Sequence, residues 1–422
     1  MPVHNEKTTT LSAAFAALAQ AGHHTHRTTL LIVVLNARCD DPSAIHRCHA
    51  QTRQYLRDLA ITSTADAPAQ PLFTLHQLPS GLDLLLIDRA SPETYLPARG
   101  GVGHARRLGA DVAAALIHSG RVTSSWIWSL DADAEVPHTL FTLGDAALEA
   151  SPQCAALVVP FTHVLAADPY QAEAGQLYDL SLRYYVLGLA WAGSPWAYWT
   201  LGSALAARCS AYGAVRGFPR RKAGEDFYLL GKLAKQGPLY RGHGPPLRIQ
   251  ARASDRVPFG TGPAVRRWSQ HPAPRDAFPL YHPHCFQALR HWLAHLPTLA
   301  QGASQLPSPP DCPWLPNLLD HIGAPKAIHR AQTASNNPQV RLRHLNTWFD
   351  AFRTLKLIHI CRDRYMPSLV WSEAIRQAPF GPPSGHIPSE LTPEWAQKRY
   401  LEQEHALGPA LLGLGSRRPK AT

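Results

Sequence analysis

The sequence alternates between short apolar runs and longer amphipathic stretches, and this alternation constrains the fold more than any other feature. Continuous apolar runs are typical of strands that are buried on both faces of a parallel sheet. Repeated alternation of strands with helices indicates a mostly parallel sheet that is covered by helices on both faces. We therefore predict an α/β fold. The runs of strand length that carry this prediction are Thr29–Leu35, Leu82–Ile87, Trp126–Leu130 and Ala155–Val159.

Two carboxylates, Asp131 and Asp133, follow the third apolar run. Ligands of open α/β sheets bind beyond the carboxyl ends of the strands, and two carboxylates there repel each other unless a cation or a shared proton compensates. Mg²⁺ or Mn²⁺ carrying a diphosphate fits this need, because such ions bind through one or two carboxylates plus substrate phosphates. Taken alone, the pair is more often a solvated turn with two acids, so its neighbours in the chain decide its meaning.

A second acidic pair, Glu225-Asp226, opens a predicted helix directly after Gly224. Acids in the first turn of a helix are stabilised by the helix dipole, so a capping role is the alternative explanation. In a partly dry cleft, however, Glu225 would raise the pKa of Asp226 towards the range that a general base needs. This pattern makes Asp226 the candidate general base, with the adjacent Glu225 as a second candidate catalytic residue.

Positive charge is concentrated downstream of the first acidic pair. The chain has a formal net charge of +11, and residues 216–268 contain twelve Lys and Arg against three Asp and Glu, a net of +9. A basic segment of this kind suits a phosphate-bearing ligand or an anionic lipid surface. Arg252, Arg256 and Arg267 are candidates for clamping a diphosphate, with a solvated surface role as the alternative. No nucleic-acid-binding motif accompanies the charge, so no nucleic-acid partner is predicted.

The domain organisation is predicted from changes in pattern along the chain. Residues 1–27 form a helical or flexible segment, 28–268 the α/β domain, 269–414 a mainly helical C-terminal extension, and 415–422 a disordered tail. The extension should contain helices at Phe286–Leu296, Leu342–Ile360 and Pro393–Leu407. No apolar run reaches the roughly 18 residues of a membrane-spanning helix. Seven cysteines without C-x-x-C spacing indicate free thiols and a cytoplasmic location. The basic segment leaves peripheral contact with an anionic membrane, at its inner face, as a further option.

Taken in order, these pieces resemble the GT-A glycosyltransferases of family 2, over roughly Thr28 to Trp268. The segments that carry the resemblance are the first strand with its turn at Asn36, the strand that ends on Asp88, Gly103-His-Ala-Arg106-Arg-Leu-Gly109, Asp131-Ala-Asp133, Gly202–Phe218 and Gly224-Glu225-Asp226. The processive Q-x-x-R-W signature remains only as Arg267-Trp268, with Ala264 at the Gln position.

The resemblance implies a metal-dependent, inverting transferase that moves a sugar from a nucleotide-diphospho-sugar to a hydroxyl acceptor. It implies that Asn36, Asp88 and Arg106 contact the nucleotide. Asp133, helped by Asp131, would hold Mn²⁺ or Mg²⁺. Two other hypotheses stay open: a nucleotidyltransferase on a related fold, and a non-catalytic protein that binds a sugar nucleotide.

Overall fold

A computed structural model describes residues 1–66, 72–97, 101–221, 223–254, 258–382 and 387–414 of the 422-residue chain. The chain divides into two compact units. The first comprises Met1–Ala166 and Thr200–Pro263, with Pro409–Leu411. The second contains Ala167–Trp199 and Ala264–Gly408.

Helices and strands alternate through the first half of the chain, and helices dominate the second half. The described helices are α1 (Thr8–His24), α2 (Ser43–Leu59), α3 (Val102–His118), α4 (Thr142–Ala150), α5 (Pro169–Trp191), α6 (Cys209–Ala214), α7 (Glu225–Gln236), α8 (Thr261–Ser269), α9 (Pro274–Ala277), α10 (Pro283–Ala300), α11 (Leu315–His321), α12 (Ala324–Ala334), α13 (Pro338–Trp348), α14 (Ala351–Arg364), α15 (Trp371–Gln377) and α16 (Pro393–Ala406). The described strands are β1 (Pro2–Val3), β2 (Thr29–Asn36), β3 (Thr62–Ala65), β4 (Phe73–Gln77), β5 (Leu82–Arg89), β6 (Trp126–Ser129), β7 (Ala134–Glu135), β8 (Ala156–Val158), β9 (Phe161–Leu165), β10 (Leu205–Arg208), β11 (Leu239–Arg241), β12 (Leu247–Ala251), β13 (Pro279–Leu280), β14 (Leu369–Val370) and β15 (Ala410–Leu412).

The predicted α/β class is confirmed, but the prediction of a mostly parallel sheet is wrong. The described strands form mixed sheets in the orders β1-β2-β5-β4-β3, β15-β11-β8-β10-β6 and β7-β12-β9, with a separate β13-β14 pair. Parallel pairing joins β1 to β2, β2 to β5, β8 to β11 and β9 to β12. Antiparallel pairing joins β3 to β4, β4 to β5, β6 to β10, β8 to β10, β7 to β12 and β13 to β14. The apolar runs of the sequence correctly mark the parallel β2–β5 core. They miss the polar, exposed β3, which pairs antiparallel with β4 across a short connection, and the short β7, which pairs antiparallel with the distant β12.

The parallel core of the first unit is built from β2 and β5 with α3 against it. Val33, Val34 and Leu35 on β2 are at most 1% exposed. Gly109 of α3 allows the helix to approach β2 closely, since a Cβ atom there would lie 3.1 Å from Val34 Cγ2. This close contact fixes the position of α3, which carries Arg106 in its first turns.

Residues 1–27 are an ordered part of the first unit. They contain β1, which adds a parallel strand beside β2, and α1, whose Leu11, Phe15 and Leu18 are buried. Burial of these apolar side chains stabilises the segment by the hydrophobic effect.

The helices predicted for the C-terminal region are present with altered bounds. The segment 342–360 lies in two helices, α13 and α14, which are separated by Phe349 and Asp350. The Asp350 side chain caps α14 by accepting a hydrogen bond from the Arg353 backbone N–H at 3.1 Å, which is a standard helix start signal. None of the helices that the structure describes combines the length and the apolar character needed to cross a membrane.

The second unit surrounds an apolar core with one buried ionic cluster. Arg183 on α5 is 1% exposed, and its Nε lies 2.7 Å from an oxygen of Asp179, one helical turn earlier. Its Nη1 contacts Glu404 of α16. Both carboxylates are buried, Asp179 at 0% and Glu404 at 5% exposed. The buried guanidinium therefore links the two helices through charge-assisted hydrogen bonds.

Substitution of this arginine tests how much the cluster contributes. Arg183→Met removes the guanidinium that contacts both buried carboxylates, so we expect the free energy of unfolding to fall by about 3–5 kcal/mol. Arg399→Met is the matched control, because Arg399 and Glu402 form an exposed pair on α16, and its loss should cost at most about 1 kcal/mol. Urea unfolding followed by circular dichroism measures both. Equal losses in the two variants would contradict the assignment.

Candidate functional site

Arg106 brings together two of the acidic motifs predicted from the sequence. Its Nη2 lies 2.5 Å from Asp131 Oδ1, just beyond β6, and its Nε lies 3.2 Å from Glu225 Oε1 at the start of α7. Arg106 is 8% and Glu225 3% exposed. Residues 106, 131 and 225 therefore form one ionic cluster with Arg106 and Glu225 buried and Asp131 half-buried, although more than a hundred positions separate the first from the last.

Gly202 makes room for the Arg106 guanidinium. A Cβ atom at this position would lie 2.0 Å from Arg106 Nη1, so any side chain would displace the arginine. The Gly202 carbonyl is held from the other side, because it accepts a hydrogen bond of 2.7 Å from Ser129 Oγ of β6. The glycine is therefore a structural requirement of the cluster.

The N-terminus of α7 is fixed by glycines on both sides of the contact. Gly224 precedes the helix with φ of +73°, a conformation that side chains disfavour. Gly103 of α3 packs against the same region, since a Cβ atom there would lie 2.5 Å from the Arg221 carbonyl and 3.1 Å from Glu225 Cβ. The two helix N-termini thus approach each other, and this contact places Glu225 and Asp226 beside Arg106.

The charges of the cluster do not balance, and Asp226 shows the effect. Burial and the neighbouring Glu225 carboxylate raise the pKa of Asp226 to about 7, while Arg106 opposes the shift. Its Oδ1 accepts a hydrogen bond from the Phe227 backbone N–H at 2.7 Å. One arginine cannot compensate several carboxylates in a poorly hydrated site, so Asp226 exchanges a proton near neutral pH.

Asp133 belongs to a second ionic contact. Its Oδ2 lies 3.0 Å from Arg252 Nη2, and the same nitrogen donates to both oxygens of Glu6, at 3.2 and 3.1 Å. Arg252 thus pairs both with Asp133 of the first acidic motif and with Glu6 of the N-terminal segment. The sequence predicted Asp133 and Arg252 as site residues but missed Glu6, which is only 4% exposed. No local pattern around Glu6 signals this contact.

Asn36 and Asp88, predicted to contact a nucleotide, are engaged by other parts of the chain. β1 runs parallel beside the end of β2, and the Asn36 carbonyl contacts His4 Nδ1 at 2.8 Å. Asp88 is bound by Arg53 of α2, with Nε to Oδ2 at 2.6 Å and Nη2 to Oδ1 at 3.1 Å. Neither residue lies in the Arg106 cluster, and the partner Arg53 was missed because its helical pattern carries no acidic or glycine signal.

Two further arginines were predicted to clamp a diphosphate. Arg267 is exposed on α8 in the second unit, and its guanidinium lies 5.5 Å from the Trp268 ring centroid. Arg256 lies outside the described residues.

The carboxylates of Asp131 and Asp133 have the chemistry to bind a hard divalent cation, but each forms an ion pair with an arginine. Oxygen donors at a strand end fit Mg²⁺ or Mn²⁺. However, Asp131 faces Arg106 and Asp133 faces Arg252. Within the described ranges, neither belongs to a group of three His, Cys, Asp or Glu ligand atoms within 4.8 Å of one another. An ion at this position would therefore compete with the two arginines for the carboxylates.

Comparison of the chain with protein-family models and with curated proteins gives no match. The resemblance to family 2 glycosyltransferases therefore stays a prediction from the motifs, and the geometry of the site carries the functional argument.

The raised pKa of Asp226 predicts how stability depends on pH. A carboxyl whose pKa is higher in the folded chain than its ordinary value of about 3.9 stabilises the fold at low pH, and this contribution is lost as pH rises to about 7. Asp226→Asn, which carries no charge, should therefore gain about 1–4 kcal/mol relative to the wild type between pH 4 and pH 8.

The measurement is urea unfolding across this pH range, and the trend with pH is the readout. Asp145→Asn is the control, since Asp145 also lies in the first turn of a helix but pairs with Arg27 at the surface. A gain from Asp226→Asn that does not change with pH would contradict the shifted pKa.

Proposed function

We propose that this protein is a glycosyltransferase of the GT-A type, which moves a sugar from a nucleotide-diphospho-sugar to a hydroxyl acceptor with inversion. The observation that supports this proposal best is the convergence of Asp131, at a strand end, with Glu225-Asp226, at a helix start, on the buried Arg106. These are the places where the motifs of the resembling family carry the donor-side and acceptor-side carboxylates.

Asp226 has the chemistry that the acceptor reaction requires. A hydroxyl must lose its proton as its oxygen bonds to the anomeric carbon and the bond from that carbon to the diphosphate oxygen breaks. A base with a pKa near 7 is partly ionised at neutral pH and still basic enough to accept the proton. We assign the proton transfer to the Asp226 carboxylate.

The other residues of the cluster hold the base and the donor side in position. Arg106 fixes Asp131 relative to Glu225, and Glu225 adds the negative charge that keeps the pKa of Asp226 high. A Mn²⁺ or Mg²⁺ ion, when held by Asp131 and Asp133, would neutralise the charge that develops on the leaving diphosphate. Arg252, already beside Asp133, is positioned to bind phosphate oxygens.

A non-catalytic protein that binds a sugar nucleotide is the second candidate. The specific observation in its favour is that both aspartates of the first motif form ion pairs within the chain. The two candidates differ in turnover. Both bind the donor, but only the transferase releases the nucleotide diphosphate.

The donor can be identified by thermal shift. UDP-, GDP- and dTDP-sugars, each with and without Mn²⁺, should include one that raises the melting temperature, because a ligand that binds only the folded chain stabilises it. Asp133→Asn should remove the Mn²⁺-dependent part of this shift, whereas Asp145→Asn, whose exposed side chain pairs with Arg27, should retain it. Unchanged Mn²⁺-dependent binding in Asp133→Asn would refute the metal assignment.

The catalytic base is tested with the donor identified in this way. Asp226→Asn keeps the shape of the side chain but cannot take a proton. Donor binding should persist while release of the nucleotide diphosphate falls by about 10²–10⁴-fold. Turnover of the wild type should rise with pH through about 7 as Asp226 ionises.

Glu225→Gln is the companion variant. It should lower turnover less, because Asp226 remains in place to accept the proton. Near-normal turnover by Asp226→Asn at every pH would exclude Asp226 as the base. Donor binding without turnover in the wild type, over a broad set of hydroxyl acceptors, would support the non-catalytic candidate.

A further inference from the structure

A group of three potential metal ligands lies in the second unit and plays no part in the proposed function. One ligand atom each from His291, Asp311 and Cys312 lies within 4.8 Å of the others. His291 is on α10, whereas Asp311 and Cys312 lie in the turn that leads to α11. Within the described residues, no other group of three His, Cys, Asp or Glu side chains meets this criterion.

The three side chains differ in burial in a way that suits a site at the edge of the core. The Cys312 residue is 0% exposed, while the side chains of His291 and Asp311 are 29% and 41% exposed. The sulfur is therefore shielded, and the imidazole and carboxylate close the group from the solvent side. An ion can reach such a site from water, and its most polarizable ligand is protected from oxidation.

The hydrogen bonds around His291 leave one nitrogen with two competing contacts. His291 Nε2 lies 2.9 Å from Asp311 Oδ2 and 3.0 Å from Gln287 Nε2, which is one helical turn earlier on α10. An imidazole nitrogen can donate to the carboxylate or accept from the amide, but it cannot do both at once. The Gln287 amide also hydrogen-bonds Asp311, so a cation bound to Nε2 and to the carboxylate would find a partner for that carboxylate already in place.

We propose that His291, Asp311 and Cys312 bind a zinc ion and thereby join the turn before α11 to helix α10. Imidazole, thiolate and carboxylate together favour Zn²⁺ over the hard Mg²⁺ and Mn²⁺ ions. Three protein ligands leave the fourth tetrahedral position for water. Two tetrahedral ligands of zinc lie roughly 3.3 Å apart, so His291 Nε2 and Asp311 Oδ2 must separate by only a few tenths of an ångström.

Zinc would also change the chemical state of Cys312. Burial, together with the nearby Asp311 and Cys285, raises the pKa of the Cys312 thiol to about 12, so without metal it is a neutral thiol. A coordinating thiol is deprotonated by the bound zinc. Zinc binding should therefore release a proton and stabilise the folded second unit.

The test uses the full chain after treatment with a chelator and reconstitution with Zn²⁺ or Co²⁺. Metal analysis after dialysis should find about one zinc per chain, and zinc should raise the melting temperature. Bound Co²⁺ should show the charge-transfer absorption of a cobalt–thiolate bond. Asp311→Asn and His291→Gln change exposed or half-exposed side chains, so the fold should persist while zinc affinity falls at least about tenfold.

Two controls separate the site from general effects of substitution. His295→Gln changes another histidine of α10, which contacts the Gln305 carbonyl at 3.0 Å, and should retain zinc. Cys154→Ser changes a buried thiol of the first unit and should retain the cobalt–thiolate absorption, which Cys312→Ser should lose.

Three outcomes would overturn the proposal. The wild type can lack zinc after dialysis. The variants Asp311→Asn and His291→Gln can bind zinc as tightly as the wild type does. The wild type can also bind cobalt without the thiolate absorption. Any of these would reduce the group to a His291–Asp311 ion pair beside a core thiol, and none would bear on the proposed transfer reaction.

Discussion

The buried guanidinium of Arg106 holds the candidate site together. A charged group of this size is stable away from water only when carboxylates compensate it with good geometry. Asp131 does so through a hydrogen bond of 2.5 Å, whereas Glu225 compensates by proximity, with its Oε1 3.2 Å from Arg106 Nε but without hydrogen-bond geometry. Because these residues come from a strand end and from a helix start, their ion pairs with Arg106 fix α3, the end of β6 and α7 relative to one another. Gly103 and Gly202 provide the space that this arrangement needs.

The same cluster explains why the pKa of one carboxyl of the site is raised. Arg106 is shared between Asp131 and Glu225, so little positive charge remains for Asp226. Burial raises the pKa of Asp226 most, and the neighbouring Glu225 carboxylate raises it further.

The two aspartates of the first motif are divided between two structural contexts. Asp131 follows β6 and faces Arg106. Asp133 immediately precedes β7, which pairs antiparallel with β12, and Arg252 follows the end of β12. This pairing brings Asp133 to Arg252 and, through Arg252, to Glu6. Two residues of one short motif thus contact two different arginines, Arg106 and Arg252.

Local sequence patterns were sufficient for much of the fold. Apolar runs marked β2 and β5, a glycine followed by two acids marked the start of α7, and helical periodicity marked α10 and α16. These features depend on neighbouring residues, whose periodicity and capping chemistry determine local structure. Candidate residues Arg106, Asp131, Glu225 and Asp226 were found because each stands in a short motif at the end of an element.

The direction of strand pairing and the partners of the charged residues depended on the tertiary structure. The antiparallel pairing of β3, β4, β7 and β10 depends on the path that the chain takes between the paired strands, and no short segment encodes that path. The pairs Arg53–Asp88 and Glu6–Arg252 join residues far apart in sequence. Charged side chains carry no periodic signal for their partners, because an ion pair depends only on which groups meet in space. The sequence alone determined which chemical groups stand at the ends of strands and helices, and the packing of α3, β1 and β12 decided which of them meet.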